Sequence, residues 1–390
     1  MNEISHRTRG QAFRPTKVAH VSSAHPWTDN RIHLREAATL ATAGYDVTLI
    51  AIENDMVVPE TGVKVIKMRK YSRLRRVTFG SLKAFCQGLR SKSEVFHFHD
   101  PEMVWAIPIL RLAGKKVIYD AHEDLPAQIV NKHYVNRFQR PFFLAVAHVV
   151  VRVSKLSNHT IAATEKIAER YKAGSVSVVH NYPRLRECDL TIGAAAERGL
   201  SAVYVGGMGT ERGAIQMIDA LAEPSFPAGW TLEIAGTFAE ASLLERLRRL
   251  PGWSRVKFHG KISPDGARNL IAKCGVGIVV FQGTEAHLDA LPTKMFEYFA
   301  AGIPVIASDF PLWRSIVEVN QCGILVDESD PASIAAAIAK YAQDPELLAR
   351  HGANARMVAL STLNWANEEP VLLDVYARVT NTHRAHVQNG

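Results

Sequence analysis

From Lys17 onward, short apolar runs of strand length alternate with longer stretches of helical period. Val18–Val21, Val47–Ile52, Val63–Met68, Val95–Phe98, Val117–Tyr119, Thr160–Ala163 and Val176–Val179 have strand character. Between them, stretches such as Ile32–Ala43 and Val104–Leu112 carry their apolar residues at helical spacing. Alternation of this kind predicts a parallel sheet with helices on both faces. The pattern lapses over Pro183–Gly199, a charged, small-residue stretch, and then restarts. Further strands are predicted at Ala202–Val205, Leu232–Ala235, Val256–His259, Val276–Phe281, Val305–Ala307 and Ile324–Val326, with helices at Ile215–Ala222, Leu243–Leu250 and Lys294–Ala301. Three helices close the chain: Pro331–Tyr341, Pro345–Val358 and Asn367–Val379. The fold class is therefore α/β, with two Rossmann-like, doubly wound domains. Their expected limits are 1–185 and 200–366, with a linker at 186–199 and a last helix and tail at 367–390. Open α/β sheets bind ligands beyond the carboxyl ends of their strands, so the site is expected in a cleft where two such edges face each other.

The 390 residues are 47% apolar and 22% charged, enough for two globular cores. Cys86, Cys188, Cys274 and Cys322 are scattered and form no CxxC pair, which argues against a zinc site or a disulfide framework and for a reducing, cytoplasmic location. Met1–Lys17 lacks an apolar signal-peptide core, and the longest apolar stretch, Pro141–Val151, is far short of the ~20 residues that span a bilayer. The net charge of +8 favours an anionic partner. Ten Lys or Arg and no acid lie between Lys64 and Lys92, with Tyr71, Phe79 and Phe85 interleaved. No nucleic-acid motif accompanies them, so the choice is between an anionic membrane surface and a solvated face. Phe142–Val151, flanked by Arg137, Arg140 and Arg152, fits a second membrane-facing element or a buried core helix.

The richest segment chemically runs from Asp289 through Leu291, Thr293, Lys294 and Glu297 to Gly302-Ile-Pro304. A helix starting near Pro292 directs its first amides and positive dipole end at a ligand, a ready diphosphate site. Lys294 adds a cation there, and Glu297, one turn in, can accept from two ribose hydroxyls. Earlier, Val205-Gly-Gly-Met-Gly-Thr-Glu-Arg-Gly213 forms a glycine turn at a strand end. It resembles a dinucleotide fingerprint, but the strand at Leu232–Ala235 is followed by Gly236-Thr237-Phe238, with no acid for a ribose. His97, His99, Asp100 and Glu102 have the look of a metal cluster, although Asp100 before Pro101 also suits a helix N-cap.

With His25–Gly44, His97–Glu102 and Tyr119–Asp124, these segments resemble, in order, those of the family 4 glycosyltransferases, and the resemblance runs from about Lys17 to about Arg378. It implies a GT-B fold and a retaining transfer from a nucleotide-diphosphate sugar to a saccharide or lipid-linked acceptor. The branch it resembles serves exopolysaccharide, capsule or lipopolysaccharide assembly, which places the protein peripherally on the inner face of the membrane. No cofactor and no metal are expected, and no nucleic acid. The donor would be held by Arg212, Lys294, Glu297, Asp289, Gly207, Leu291 and Thr293. His122 would sit near the reacting carbon, with Asp120 and Glu123 beside it, and Asp124 a further candidate to orient its ring. Asn30, Arg31, His99 and Asp100 would face the acceptor. Two positions depart from the family pattern. Asp289 stands where a longer Glu is usual, and Gly207 where an Arg is usual, which leaves Arg212 as the diphosphate cation on that side. A GT-B epimerase and a non-catalytic nucleotide-sugar sensor are the rival expectations.

Overall fold

The computed structural model describes residues 14–131, 138–185 and 198–380. The first sheet contains β1 (Lys17–Pro26), β2 (Asp46–Ile52), β3 (Lys64–Met68), β4 (Val95–Phe98), β5 (Lys116–Ala121), β6 (His159–Ala162) and β7 (Val176–Val178), in the order β3-β2-β1-β4-β5-β6-β7. The second contains β8 (Gly199–Val205), β9 (Thr231–Ala235), β10 (Val256–Gly260), β11 (Cys274–Val279), β12 (Val305–Ser308) and β13 (Gly323–Val326), in the order β10-β9-β8-β11-β12-β13. Each predicted strand run is a strand, with ends displaced by a residue or two except in β1, which runs five residues further, to Pro26, and β8, which starts three residues earlier, at Gly199. The strand order reverses between β1 and β4 in one sheet and between β8 and β11 in the other, the switch points where such sheets open a ligand crevice. β4 and β11 are buried along their whole length, because helices cover both faces of a parallel sheet.

Two helices depart from their predicted form. Ile32–Ala43 begins as a wide π turn over Ile32–Ala37 and becomes α-helical over Ala38–Thr42. Val104–Leu112 is divided into a 3-10 turn, Pro101–Met103, and a helix, Ala106–Leu112. Asp100 does not cap that turn, because its carboxylate is engaged on the other side, by the residues that close β1.

The chain forms two compact units that cut across the linear division read from sequence. One comprises the residues up to Ala121, Arg152–Ile161 and the chain from Leu373, and the other His122–Val151 and Ala162–Leu372. Within the second, helix Leu125–Asn131 lies beside helix Glu285–Leu288. His180 there bridges Glu165 and Glu368 at 3.0 Å each, and Arg184 meets Glu369 at 2.7 Å. The linker placed at 186–199, Cys188, Arg137 and the tail after Thr380 lie wholly or almost wholly outside the described residues.

Candidate functional site

In the second unit, β8 ends on Val205 and the chain turns through Gly206–Gly209 into Thr210–Arg212 and helix Ala214–Ala220. Gly206 and Gly213 have φ of 127° and 70°, conformations that side-chain-bearing residues rarely adopt. Opposite this turn stands helix Thr293–Ala300, which starts at Pro292 without a side-chain cap. It approaches closely because β11 carries Gly277, where a Cβ would collide with the Tyr298 ring. That approach lets the Val205 amide donate to the Tyr298 hydroxyl at 3.0 Å, which ties the helix to the end of β8.

Lys294 on the first turn of this helix is 7% exposed. Its ammonium sits 3.5 Å from the centre of the Tyr204 ring and 5.2 Å from that of Phe281. It lies next to Gly206, and its Nζ has no hydrogen-bond partner among the described residues. Burial, and then the nearby Arg212, push its pKa well below the usual lysine value against the pull of Glu297. A buried ammonium left unpaired is costly, and the aromatic faces offset part of that cost. An anion between the turn and the helix would supply what is missing.

Arg212 lies on the same turn. It is exposed and donates to the Gly207 carbonyl at 2.8 Å. A Cβ at position 207 would fall 3.2 Å from that guanidinium. The bare glycine therefore leaves room for the head of Arg212, so the missing arginine and the present one are parts of one arrangement. Glu297 is half-buried one turn beyond Lys294, Leu291 and Thr293 are half-buried at the helix start, and Gly207 and Asp289 are exposed. Tyr204 and Phe281, which flank the Lys294 ammonium, and Tyr298, which ties its helix to β8, carry no sequence signal, because buried aromatics look like core.

In the first unit, Arg31, His99, Asp100 and Asp120 are all buried, whereas Asn30 is exposed. Arg31 donates to both oxygens of Asp120 at 2.9 and 3.0 Å and lies 3.0 Å from Glu36. Burial and the Asp120 charge push the Glu36 carboxyl well above its ordinary range, against Arg31. His99 joins the group through Asp120 at 3.2 Å and His20 at 2.9 Å. The Tyr376 hydroxyl meets His97 at 2.9 Å and His20 at 3.2 Å. Burial, and next the charge of His99, hold His20 and His97 well below the usual histidine value. Arg31, His99 and Asp120 thus spend polar atoms on an internal network. Glu36 and His20 belong to it as well, and a charged residue on the buried face of helix Ile32–Ala37 was the one sequence signal for it.

The four residues read as a superficial metal cluster do not converge. Asp100 accepts from Ser22 Oγ (2.9 Å), the Ser23 amide (2.6 Å), the Ala24 amide (3.2 Å) and His25 (3.0 Å). Glu102 pairs with Arg76 at 2.7 Å. A different set, His20, Glu36, His97 and His99, brings its ligand atoms within 4.8 Å of one another, and the hydrogen bonds given above link its three histidines. On the loop after β5, His122 is half-buried and Glu123 exposed. Asp124 is taken by Arg170 at 2.7–2.8 Å and caps the start of helix Leu125–Asn131.

A family model described as "Glycosyl transferases group 1" matches residues 192–358, and one described as "Glycosyltransferase Family 4" matches residues 31–182. The D-inositol 3-phosphate glycosyltransferase of Streptomyces avermitilis is 25% identical over 265 residues, 62% of this chain and 55% of that protein. That of Streptomyces scabiei is 24% identical over 312 residues, 73% of this chain and 66% of its own length. The chain thus spans less than two thirds of these curated relatives. Among solved structures, the sucrose-phosphate synthase of Thermosynechococcus elongatus superposes with a TM-score of 0.73 at 18% identity, over 94% of this chain and 99% of that one. Anabaena HepE in complex with UDP-glucose does so at 0.70 and 14%, over 93% and 99%. At such identities the likeness establishes the shared two-domain fold.

Proposed function

We propose that this chain, which belongs to the family 4 glycosyltransferases and has their GT-B fold, moves a sugar from a nucleotide-diphosphate donor to an acceptor with retention of configuration. The observation that carries the reading is Lys294, a buried ammonium without a partner among the described residues, held between aromatic rings at a glycine turn. The donor diphosphate would pair with it and with Arg212. Glu297 would hold the ribose, while Asp289, Leu291, Thr293 and the backbone at Gly207 would line the same place. As the sugar bond loosens, charge grows on the departing phosphate, so these contacts strengthen in the transition state. That phosphate can take the proton of the acceptor hydroxyl entering from the same face. His122 would lie beside the reacting carbon, and no metal or other cofactor is required. HepE was captured with UDP and with UDP-glucose, which makes uridine donors the first to try.

For the acceptor, a lipid-linked saccharide at the inner membrane face is supported by the basic segment Lys64–Lys92. There Leu74 and Phe79 stand 85% and 66% exposed among the cations. No helix of the described residues is long and apolar enough to cross a membrane. A soluble phosphorylated sugar is the second reading. The net charge of +8 favours it, and several relatives are named for such compounds.

One assay tests the proposal: donor turnover in EDTA, with membrane extract, with sugar phosphates, and with neither. Nucleotide diphosphate should appear only when an acceptor is present, and chelator should leave its rate unchanged. Isomerised donor without acceptor would make the protein an epimerase, and binding without turnover a sensor. Turnover lost in chelator and restored by a divalent ion would overturn the metal-free mechanism.

A further inference from the structure

Helix Arg140–Ser154 is apolar almost all round. A helix of that kind belongs in a core or in lipid, because water solvates neither of its faces well. One face is accounted for. Ala147 and Ser154 are buried and Leu144 and Val151 half-buried, a single stripe at helical spacing. The opposite stripe is not covered. Phe142 is 66% exposed, Val146 44% and Val149 57%, at spacings of four and three. Phe143, beside Phe142, is 40% exposed, and its ring lies edge-on to that of Phe142 at 5.6 Å. The core-helix alternative left open by the sequence therefore fails for this face.

We propose that the Phe142–Val146–Val149 stripe inserts into the acyl boundary of an anionic bilayer. Charge complementarity selects this occupant. From Phe138 to Thr164 the chain has no Asp or Glu and has Arg140, Arg152 and Lys155. Arg152, exposed near one end of the helix, reaches the phosphate level while the apolar side chains go below it, and half-buried Arg140 adds a cation at the other end. A protein partner would have to cover an apolar stripe and answer cations at both ends. Anionic lipid does both in one surface. The inference rests on the membrane-docking part of the proposed function, and it names an element separate from the basic segment Lys64–Lys92.

The test is binding of the full chain to vesicles of phosphatidylglycerol and phosphatidylcholine across a salt series. Phe142→Ser/Val146→Ser/Val149→Ser should bind at least about tenfold more weakly at every salt concentration, with an unchanged salt slope, since it removes apolar contact and no charge. Arg73→Ser/Arg75→Ser should instead flatten the slope. Thermal melting checks folding. If the triple variant melts early, Phe142→Ser alone carries the comparison. Coincident lines for wild type and the helix variant, with a flattened line for the arginine variant, overturn the insertion and leave basic docking standing. No wild-type binding to any vesicle overturns both, while donor binding remains a separate measurement. A wild-type dimer that the triple variant splits would assign the stripe to a second copy of the chain and overturn the lipid reading.

Discussion

At the scale of single residues, Lys294 poses a trade between stability and function. Its ammonium is buried and, among the described residues, unpaired. Lys294→Met keeps the stem and removes the charge. Without ligand, the variant should melt at a higher temperature than wild type, because an uncompensated charge leaves the interior. Affinity for UDP should fall more than tenfold, as expected when a charge-assisted bond of about 1.5–3 kcal/mol is lost. Titration calorimetry on the two proteins decides it, and unchanged UDP affinity would put the diphosphate elsewhere. Arg212 makes a different contribution. It is exposed, so Arg212→Ala should leave melting nearly unchanged while kcat drops on the order of 100-fold. Arg212→Lys should recover part of the loss, because it keeps the charge without the planar fork. Wild-type kcat in Arg212→Ala would show that Gly207 is a true vacancy rather than the seat of the Arg212 head.

At the scale of elements, the last residues of β1 are organised by a carboxylate just beyond the end of β4. Asp100 gathers the amides of Ser23 and Ala24, the Ser22 hydroxyl and the His25 ring. Burial alone would lower the His25 pKa, but the hydrogen bond and charge of Asp100 raise it from 6.5 to about 9. Burial works against Asp100 ionising, yet His25 and the Ser22 and Ser23 donors lower its pKa from 3.8 to about 2. The raised histidine contributes stability that is complete below pH 6.5 and lost as pH rises through about 9. The lowered aspartate contributes stability present above pH 3.8 and lost as pH falls through about 2. Denaturant melts from pH 6 to 10 should show wild type losing stability across the upper window and His25→Gln losing less. Parallel curves would mean that the pair does not stabilise the end of β1.

At the scale of the whole molecule, charge is placed rather than spread. Of the cations in Lys64–Lys92, Arg76 is spent on Glu102 and Lys64 on Asp46, while Arg73 and Arg75 are exposed. Each exposed cation near an anionic surface is worth about 1 kcal/mol, so Arg73→Ser/Arg75→Ser should weaken vesicle binding roughly thirtyfold at low salt. Sedimentation at low salt measures this. Equal binding of wild type to neutral and anionic vesicles would remove the electrostatic basis for docking.

The sequence by itself determined the two parallel sheets, strand by strand, because burial on both faces writes the inner strands as short apolar runs that no distant contact can disguise. It also determined the glycine turn at Gly206–Gly213 and the position of Lys294, since a phosphate-ready turn is a local matter of missing side chains and helix starts. Only the tertiary structure decided what the polar residues do. Arg31, His99, Asp100 and Asp120 look alike in a string, as polar residues on loops beside strand ends. Their fate was set by partners as far as 89 positions away, which left Arg31 locked onto Asp120 and Asp100 held by the last residues of β1. The apolar run Phe142–Val151 was equally undecided in sequence, because hydropathy shows that a side chain avoids water and not what covers it. Packing decided it, by burying Ala147 and leaving Phe142 in the open.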